Sequence, residues 1–414
     1  MIGVIADDVT GATDVAVAFR RAGLRSGVYF GTPESTAVDE GLDVVVIALK
    51  SRTIAADGAV AQSLAAAHAL QAMGATQLYF KYCSTFDSTA NGNIGPVLDA
   101  LVGLVQVDVV VTTPASPEHG RTTFHGHLFV DGVLLSESSM RNHPLTPMRD
   151  SALTRLMDAQ AEGGSAVIGH DVVARGAAAI RSEVEAARGG TRYLFPDAAS
   201  EVDLLAIAQA VLDAPLVAGA AGLAGAIGRV RGGARASRNG RNDSVPAGRA
   251  AVLAGSCSRR TLEQIDRVLQ AERPAHRLDA LESDDPEHLA RRALEWYDAL
   301  PTGPAPLIYS SLPPPELHEV QEKLGVERSA EILEAAIGRV AEGLRDRGVT
   351  RFVAAGGETS GSVVAALGVR GGIVGVEAAR GVPWIHTDQD LDVLLKSGNF
   401  GEPDLLLSAS EGSA

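Results

Sequence analysis

The stretch Met1-Ile2-Gly3-Val4-Ile5-Ala6-Asp7-Asp8-Val9-Thr10-Gly11-Ala12 decides the reading of the fold. Ile2 to Ala6 is a short apolar run of strand length that breaks off at two adjacent carboxylates. Asp7 to Thr10 reads as a polar turn, and Ala12 to Ala22 as a helix with apolar residues along one side. A strand, a tight turn and a helix in that order form the opening half of a βαβ unit.

The same rhythm continues outward. Gly27 to Gly31, Asp43 to Leu49, Gln77 to Tyr82 and Val107 to Thr112 read as strands, with an alanine-rich helix from Gly58 to Met73 among them. Asp131-Gly132 is a hairpin signal between Phe129-Val130 and Val133-Leu134-Leu135, which predicts an insertion near the mouth of the sheet. Strands at 166–168, 192–195 and 216–219 alternate with helices at 175–187 and 201–212. A second α/β unit restarts at Ala251 to Ala254. It continues through a helix at 332–347, a strand at 351–355, a helix at 361–367 and a final strand from Leu405 to Ser408. The expected class is α/β: two α/β domains, each built on a mostly parallel sheet flanked by helices. Residues 1–230 form the first domain and 250–414 the second. The arginine- and glycine-rich stretch 231–249, with Pro246, joins them as a solvated linker.

Composition narrows the function. Hydrophobic residues make up 46% of the 414, which is enough for ordinary cores. A net charge of -15 argues against nucleic acid or an anionic membrane as a general partner. No apolar run approaches the ~18 residues of a membrane helix, and the first residues lack the basic region of a signal peptide. Two cysteines, Cys83 and Cys257, make no disulfide framework, so the cytoplasm is expected. The sequence fixes no oligomeric state and is compatible with a homo-oligomer.

Four motifs carry chemistry. Asp7 and Asp8 stand where a parallel sheet collects ligands, able to take a proton from a hydroxyl or to bind hydroxyls. Helix capping explains one of them well and two poorly. Lys81-Tyr82-Cys83-Ser84-Thr85-Phe86-Asp87-Ser88-Thr89 leads from a strand into a loop dense with polar groups. There Lys81 offers a point charge to a carboxylate or phosphate, Ser84 and Ser88 suit a polyhydroxy ligand, and Asp87 is a second candidate base; a polar turn with a capped helix is the plainer reading. Gly356-Gly357-Glu358-Thr359-Ser360-Gly361 after a strand suits phosphate, although no Gly-Lys pair makes it a Walker loop. Gly255-Ser256-Cys257-Ser258 and Lys396-Ser397-Gly398 follow the same logic, and together these loops suggest a nucleotide site.

Two weaker signals compete. Gly219 to Gly225 lacks the Gly-x-Gly-x-x-Gly spacing and reads as a packed turn rather than a dinucleotide loop. His125 and His127, expected on one strand face, lack a third ligand at a telling spacing, so polar contacts are favoured over a metal.

At these motifs the chain resembles the four-carbon acid sugar kinase family. The resemblance rests on residues 5–16, 81–96, 255–261, 356–361 and 397–401 and spans essentially the whole length. The form of residues 81–89, with the segment from Gly126 to Met148, is similar to the 3-oxo-tetronate kinase branch rather than the threonate and erythronate branches. The resemblance implies a sugar-acid domain followed by a nucleotide domain, ATP as donor, and the 4-phosphate of a keto acid as product. It implies ATP contacts at Ser256 or Ser258, Gly356, Gly357, Glu358, Thr359 and Gly398. Lys81 and Arg52 would then meet the substrate carboxylate, and Asp7, Asp8, Ser84 and Asp87 its hydroxyls, with Asp8 slightly favoured over Asp7 as base. Mg²⁺ would bridge the phosphates, with Glu358 either holding it or merely favoured by the helix dipole. The competing readings are a threonate or erythronate kinase, an NADP-dependent dehydrogenase using 219–225, and a non-catalytic sugar-acid sensor.

Overall fold

The computed structural model describes residues 1–34, 41–143, 146–232 and 246–411. The chain divides into two compact units, Met1–Asn239 and Gly240–Ala414.

In the first unit eight parallel strands lie in the order 26–30, 44–48, 2–6, 77–81, 216–219, 110–113, 193–196 and 165–168. Buried on both faces, they consist of nearly continuous apolar residues, as parallel strands must. Side chains alternate across the sheet. Ile5, Ile47 and Phe80 share one core with Leu70 of the helix Ala56–Ala72 and with Leu98 and Leu101 of the helix Ile94–Val105. The helix Val9–Arg21 packs against the helix Ala221–Gly232. The chain leaves the central strand Ile2–Ala6, fills one side with 26–30 and 44–48, then crosses to the other side with 77–81. That reversal is the switch point at which open α/β sheets leave a crevice for ligands.

The second unit repeats the device. Strands 275–277, 307–309, 250–254, 351–355 and 392–396 run parallel. Strands 382–387 and 371–379 add an antiparallel edge. Its reversal lies between 250–254 and 351–355.

Several expectations need correction. Leu405–Glu411 is a helix, not a strand: Leu405, Leu406 and Ala409 bury one helical face, and a run so short has no periodicity to separate the two states. The helix after Ala355 starts at Gly357, so Glu358 and Thr359 sit in its first turn rather than in a loop. The helix Ala221–Gly232 runs past the expected start of the linker, and Arg229 in it pairs with Glu201. Residues 233–245 of that linker, and Pro144 and Leu145 of the segment ending at Met148, lie outside the described residues. The Asp131-Gly132 turn forms as expected, joining strands 127–130 and 133–134 with both residues at positive φ. His125 sits in the preceding turn at positive φ and His127 begins the next strand, so the two do not share a strand face. His127 Nδ1 instead lies 2.9 Å from Ser151 Oγ.

Candidate active site

Three neighbouring strand ends build the first cluster. Ala6 is in register with Ala48 on one side and Lys81 on the other, so the residues just beyond them converge. Backbone N–H groups of Ser51 and Arg52 donate to the Asp7 carbonyl at 3.0 and 3.1 Å, and the Asp7 N–H donates to the Lys81 carbonyl. Arg52 grips Asp7 with two donors: Nε to Oδ2 at 2.9 Å and Nη2 to Oδ1 at 2.7 Å. Nη2 also reaches Asp8 Oδ1 at 2.5 Å. This leaves Nη1 of Arg52 as the edge without a hydrogen-bond partner among the described residues.

The two aspartates are not equivalent. Asp7 is 2% exposed. Burial pushes its carboxyl up, against the pull of Arg52. Asp8 caps the helix Val9–Arg21, taking the Gly11 N–H at 2.9 Å and the Thr10 hydroxyl at 2.7 Å, and its side chain remains 22% exposed. Burial works against ionisation of Asp8 too, but Arg52, Lys81 and those two donors outweigh it and hold its carboxyl below the usual range. Capping and an ionised, partly exposed carboxylate therefore coexist in one residue. Gly11 has to be glycine here, because a Cβ would stand 2.3 Å from Asp8 Oδ1 and 3.0 Å from Lys81 Nζ.

Lys81 is buried, and its Nζ donates to the Tyr82 carbonyl at 3.0 Å. Asp14, one turn further along the helix, feels the Lys81 charge, and burial raises its carboxyl. The loop after Lys81 is pinned by Phe86, which adopts a positive φ while packing edge-on to Tyr82 and Phe195. Ser84 is half-buried, and its hydroxyl has no partner among the described residues. Asp87 accepts from Thr85 at 2.6 Å; Thr85 also touches Cys83 Sγ, whose thiol burial pushes up to about 12. Asp87 thus joins the cluster only through Thr85 and Cys83. Ser88 faces inward, buried, and donates to Gln160 at 2.8 Å.

Sequence reasoning missed Asn93. Its Nδ2 donates to the carbonyls of Ser51, Arg52 and Ile54 at 2.7, 3.3 and 3.1 Å, which fixes the turn carrying Arg52. Asn91-Gly92-Asn93 marks a turn in the sequence but does not say which backbone Asn93 holds.

The second cluster, in the other unit, is made of backbone and hydroxyls. The loop 255–258 and the N-cap and first turn of the helix Gly357–Ala366 lie at the reversal between strands 250–254 and 351–355. Gly356 has a φ of 130°, open to glycine, and a Cβ there would stand 3.1 Å from Ser256 N. No side chain caps the helix Gly357–Ala366, so its first N–H groups are open. Ser258 caps the helix Arg259–Gln270 and donates to the Gly398 carbonyl at 2.6 Å. Lys396, buried, donates to the same carbonyl at 2.9 Å and to Thr261 Oγ1 at 2.8 Å; burial, with Arg260 nearby, lowers its amine to about 7. A Cβ on Gly398 would meet Ser256 Oγ at 2.6 Å. Beside these loops lies a cavity of about 340 Å³ lined by Ser256, Gly356, Gly357, Glu358 and Thr359 and walled by Leu312, Leu317, Val320 and Ile337. Lys396 and Thr261 stood within the motifs read from the sequence, without the bond between them; the apolar wall was missed. The wall comes from helices distant in sequence from the loops it faces.

Gly219 and Gly222 are explained by packing, since a Cβ would stand 2.4 Å from the Thr113 carbonyl or 2.5 Å from that of Ala115.

Residues 2–227 match the family model described as "Sugar-binding N-terminal domain" and residues 251–406 the one described as "Nucleotide-binding C-terminal domain". A 3-oxo-tetronate kinase from Cupriavidus necator is 47% identical over 412 residues, covering 98% of this chain and 95% of the relative. The chain belongs to the four-carbon acid sugar kinase family. A second 3-oxo-tetronate kinase, from Actinobacillus succinogenes, is 43% identical and covers 98% of this chain and 97% of its own. A solved structure from Salmonella typhimurium LT2 shares 40% identity with a TM-score of 0.90, covering 99% of this chain and 98% of that one. Among the described residues no helix is long and apolar enough to cross a membrane.

Proposed function

We propose that this protein is an ATP-dependent kinase that phosphorylates the C4 hydroxyl of 3-oxo-tetronate, giving the 4-phosphate. The kinase class and the use of ATP follow from the relatives' shared activity and the nucleotide-binding family model. The observation that carries the assignment of roles is the pairing of Asp8 with Lys81 and Arg52: a reachable carboxylate kept ionised beside two cations. A sugar acid needs cations for its carboxylate and a carboxylate for its hydroxyl.

In this reading residues 1–230 hold the acid and 250–414 the nucleotide, with 231–249 between them. Lys81 and the free Nη1 edge of Arg52 take the substrate carboxylate. Ser84 and Asp87 take hydroxyls. Asp8 accepts the proton of the attacking hydroxyl, while Asp7 fixes the orientation of Arg52. Ser88, already bonded to Gln160, supports the loop rather than the ligand.

The cavity walled by Leu312, Leu317, Val320 and Ile337 suits a purine, and the open N–H groups of Gly357 and Glu358 suit phosphate. Ser256, Ser258, Gly356, Thr359 and Gly398 shape that cradle. Phosphoryl transfer asks chiefly for alignment and charge neutralisation. Mg²⁺ bound with the triphosphate supplies part of the latter. No group of three or more ligating side chains gathers among the described residues. Mg²⁺ usually takes only one or two carboxylates besides phosphates and water. Glu358, exposed in the first helical turn beside the cavity, fits that need and would hold the ion or its waters. The enzyme works in the cytoplasm, and a homo-oligomer is compatible with this reading.

A coupled ADP-release assay across 3-oxo-tetronates, threonates and erythronates tests the proposal. Turnover that prefers the 3-oxo acids supports it. Preference for threonate or erythronate moves the enzyme to another branch, and binding without ADP release would make it a sensor.

A further inference from the structure

The second unit holds another cavity, of about 510 Å³, at the opposite ends of the strands that carry the nucleotide loops. Arg249 and Arg351 stand at the starts of strands 250–254 and 351–355, whereas Ser256 and Gly356 stand just beyond their ends. Five strand residues separate the two mouths by roughly 17 Å. The cavity therefore belongs to neither cluster described above.

Its charged lining is three arginines, Arg249, Arg273 and Arg351, against one carboxylate, Glu411. In a chain with a net charge of -15 this local excess of positive charge runs against the general field. Among the described residues only Arg273 of the three forms an ion pair, with Glu411. Arg249 bonds the Arg347 carbonyl at 3.0 Å and the Tyr297 hydroxyl at 2.8 Å, with its guanidinium 5.7 Å from the Tyr297 ring centroid. Arg351 is 2% exposed. It donates to the Gly248 and Ala409 carbonyls at 3.4 and 2.7 Å, faces the Trp384 ring at 5.3 Å, and its buried Nε has no partner among the described residues. Burial lowers its pKa, opposed by Asp392, whose own carboxylate is engaged by His386 at 2.6 Å. With carbonyls and an aromatic face as its direct contacts, and Asp392, shared with His386, as the opposing charge, this buried cation keeps part of its field for a ligand. Guanidinium forks match phosphate and carboxylate geometry.

We propose that this cavity is a binding site for a small oxyanion, the phosphate or carboxylate group of a metabolite, gripped by Arg249 and Arg273 with Arg351 supplying fixed positive charge behind them. Glu411 is then a competitor of the ligand for Arg273.

The test is calorimetric titration of the full-length protein with inorganic phosphate and, separately, with acetate. ATP turnover plays no part in the readout, so its failure is distinct from a failure of the kinase reading. Arg249→Gln with Arg273→Gln should weaken binding by about tenfold or more. Glu411→Gln should tighten it by about threefold, because it releases Arg273. Thr359→Val, altered beside the nucleotide cavity, should leave this binding step unchanged. Tighter phosphate binding assigns a phosphate group, and tighter acetate binding a carboxylate; either result, with the same response to the variants, supports the site. If the double variant does not fold, Glu411→Gln decides alone. No binding of either anion, or binding that Glu411→Gln weakens or leaves untouched, overturns the proposal.

Discussion

The two clusters are built from the same topological device and opposite materials. Each lies where a parallel sheet reverses its strand order. The first is made of side-chain charges, buried Asp7 and Lys81 and half-buried Asp8 and Arg52, that neutralise one another in part. The second is made of glycines, hydroxyls and helix N–H groups beside an apolar wall. A small hydroxylated anion offers little surface, so its recognition rests on a few strong, directed charges. A nucleotide offers a large flat base and a phosphate chain, which apolar area and backbone donors can serve. On the proposed roles, charge changes in the first cluster should act on chemistry and acid binding, and shape changes in the second on nucleotide binding.

The largest expected effect is from Asp8→Asn, which removes the ionised, reachable carboxylate. Turnover should fall by about 10²–10⁴-fold, with nucleotide affinity nearly intact; steady-state kinetics paired with nucleotide calorimetry checks both. Turnover equal to the parent would take Asp8 out of the chemistry. Next, Lys81→Met should raise KM for the acid by about 10–100-fold and leave KM for ATP within about twofold. On the other side, Gly398→Ala places a methyl against Ser256 and Ser258. It should raise KM for ATP by about tenfold without moving that for the acid.

Asn93→Ala sharpens the first half of the comparison. It strips one donor from three carbonyls around Arg52, and should raise KM for the acid by about 3–10-fold. If the position only stabilises the fold, melting temperature would drop with no change in KM. The smallest expected effect is on stability. Lys396, lowered from 10.5 to about 7 in the folded protein, binds fewer protons there than in the unfolded chain across that interval. Stability contributed at this site therefore rises with pH from near 7 toward 10.5. Lys396→Met should flatten the pH dependence of unfolding by about 2 kcal/mol between about pH 7 and 9, read by denaturant titration at each pH.

Most of the strand–helix alternation was legible because buried parallel strands are apolar runs, and Asp7, Asp8, Lys81 and the Gly356 loop interrupt them conspicuously. Less legible were features that depend on what lies opposite. Leu405 to Ser408 reads equally as strand or helix until its buried face is known. The antiparallel strand 371–379 is rich in glycine and alanine, and 382–387 opens with four consecutive buried apolar residues, so neither alternates cleanly. Arg52 could be assigned only through the family resemblance. Its actual grip on Asp7 depends on a turn held from another segment by Asn93. The double use of Asp8, as cap and as ionised carboxylate, likewise follows from its neighbours in space rather than from its place in the motif.

The most direct test of this division of labour is a coupled ADP-release assay in which 3-oxo-tetronate and ATP are each titrated against the parent, Lys81→Met and Gly398→Ala. The account predicts acid-dependent ADP release, with Lys81→Met raising only the KM for the acid and Gly398→Ala only that for ATP. ADP release indifferent to the acid, or both variants raising the same KM, would contradict it.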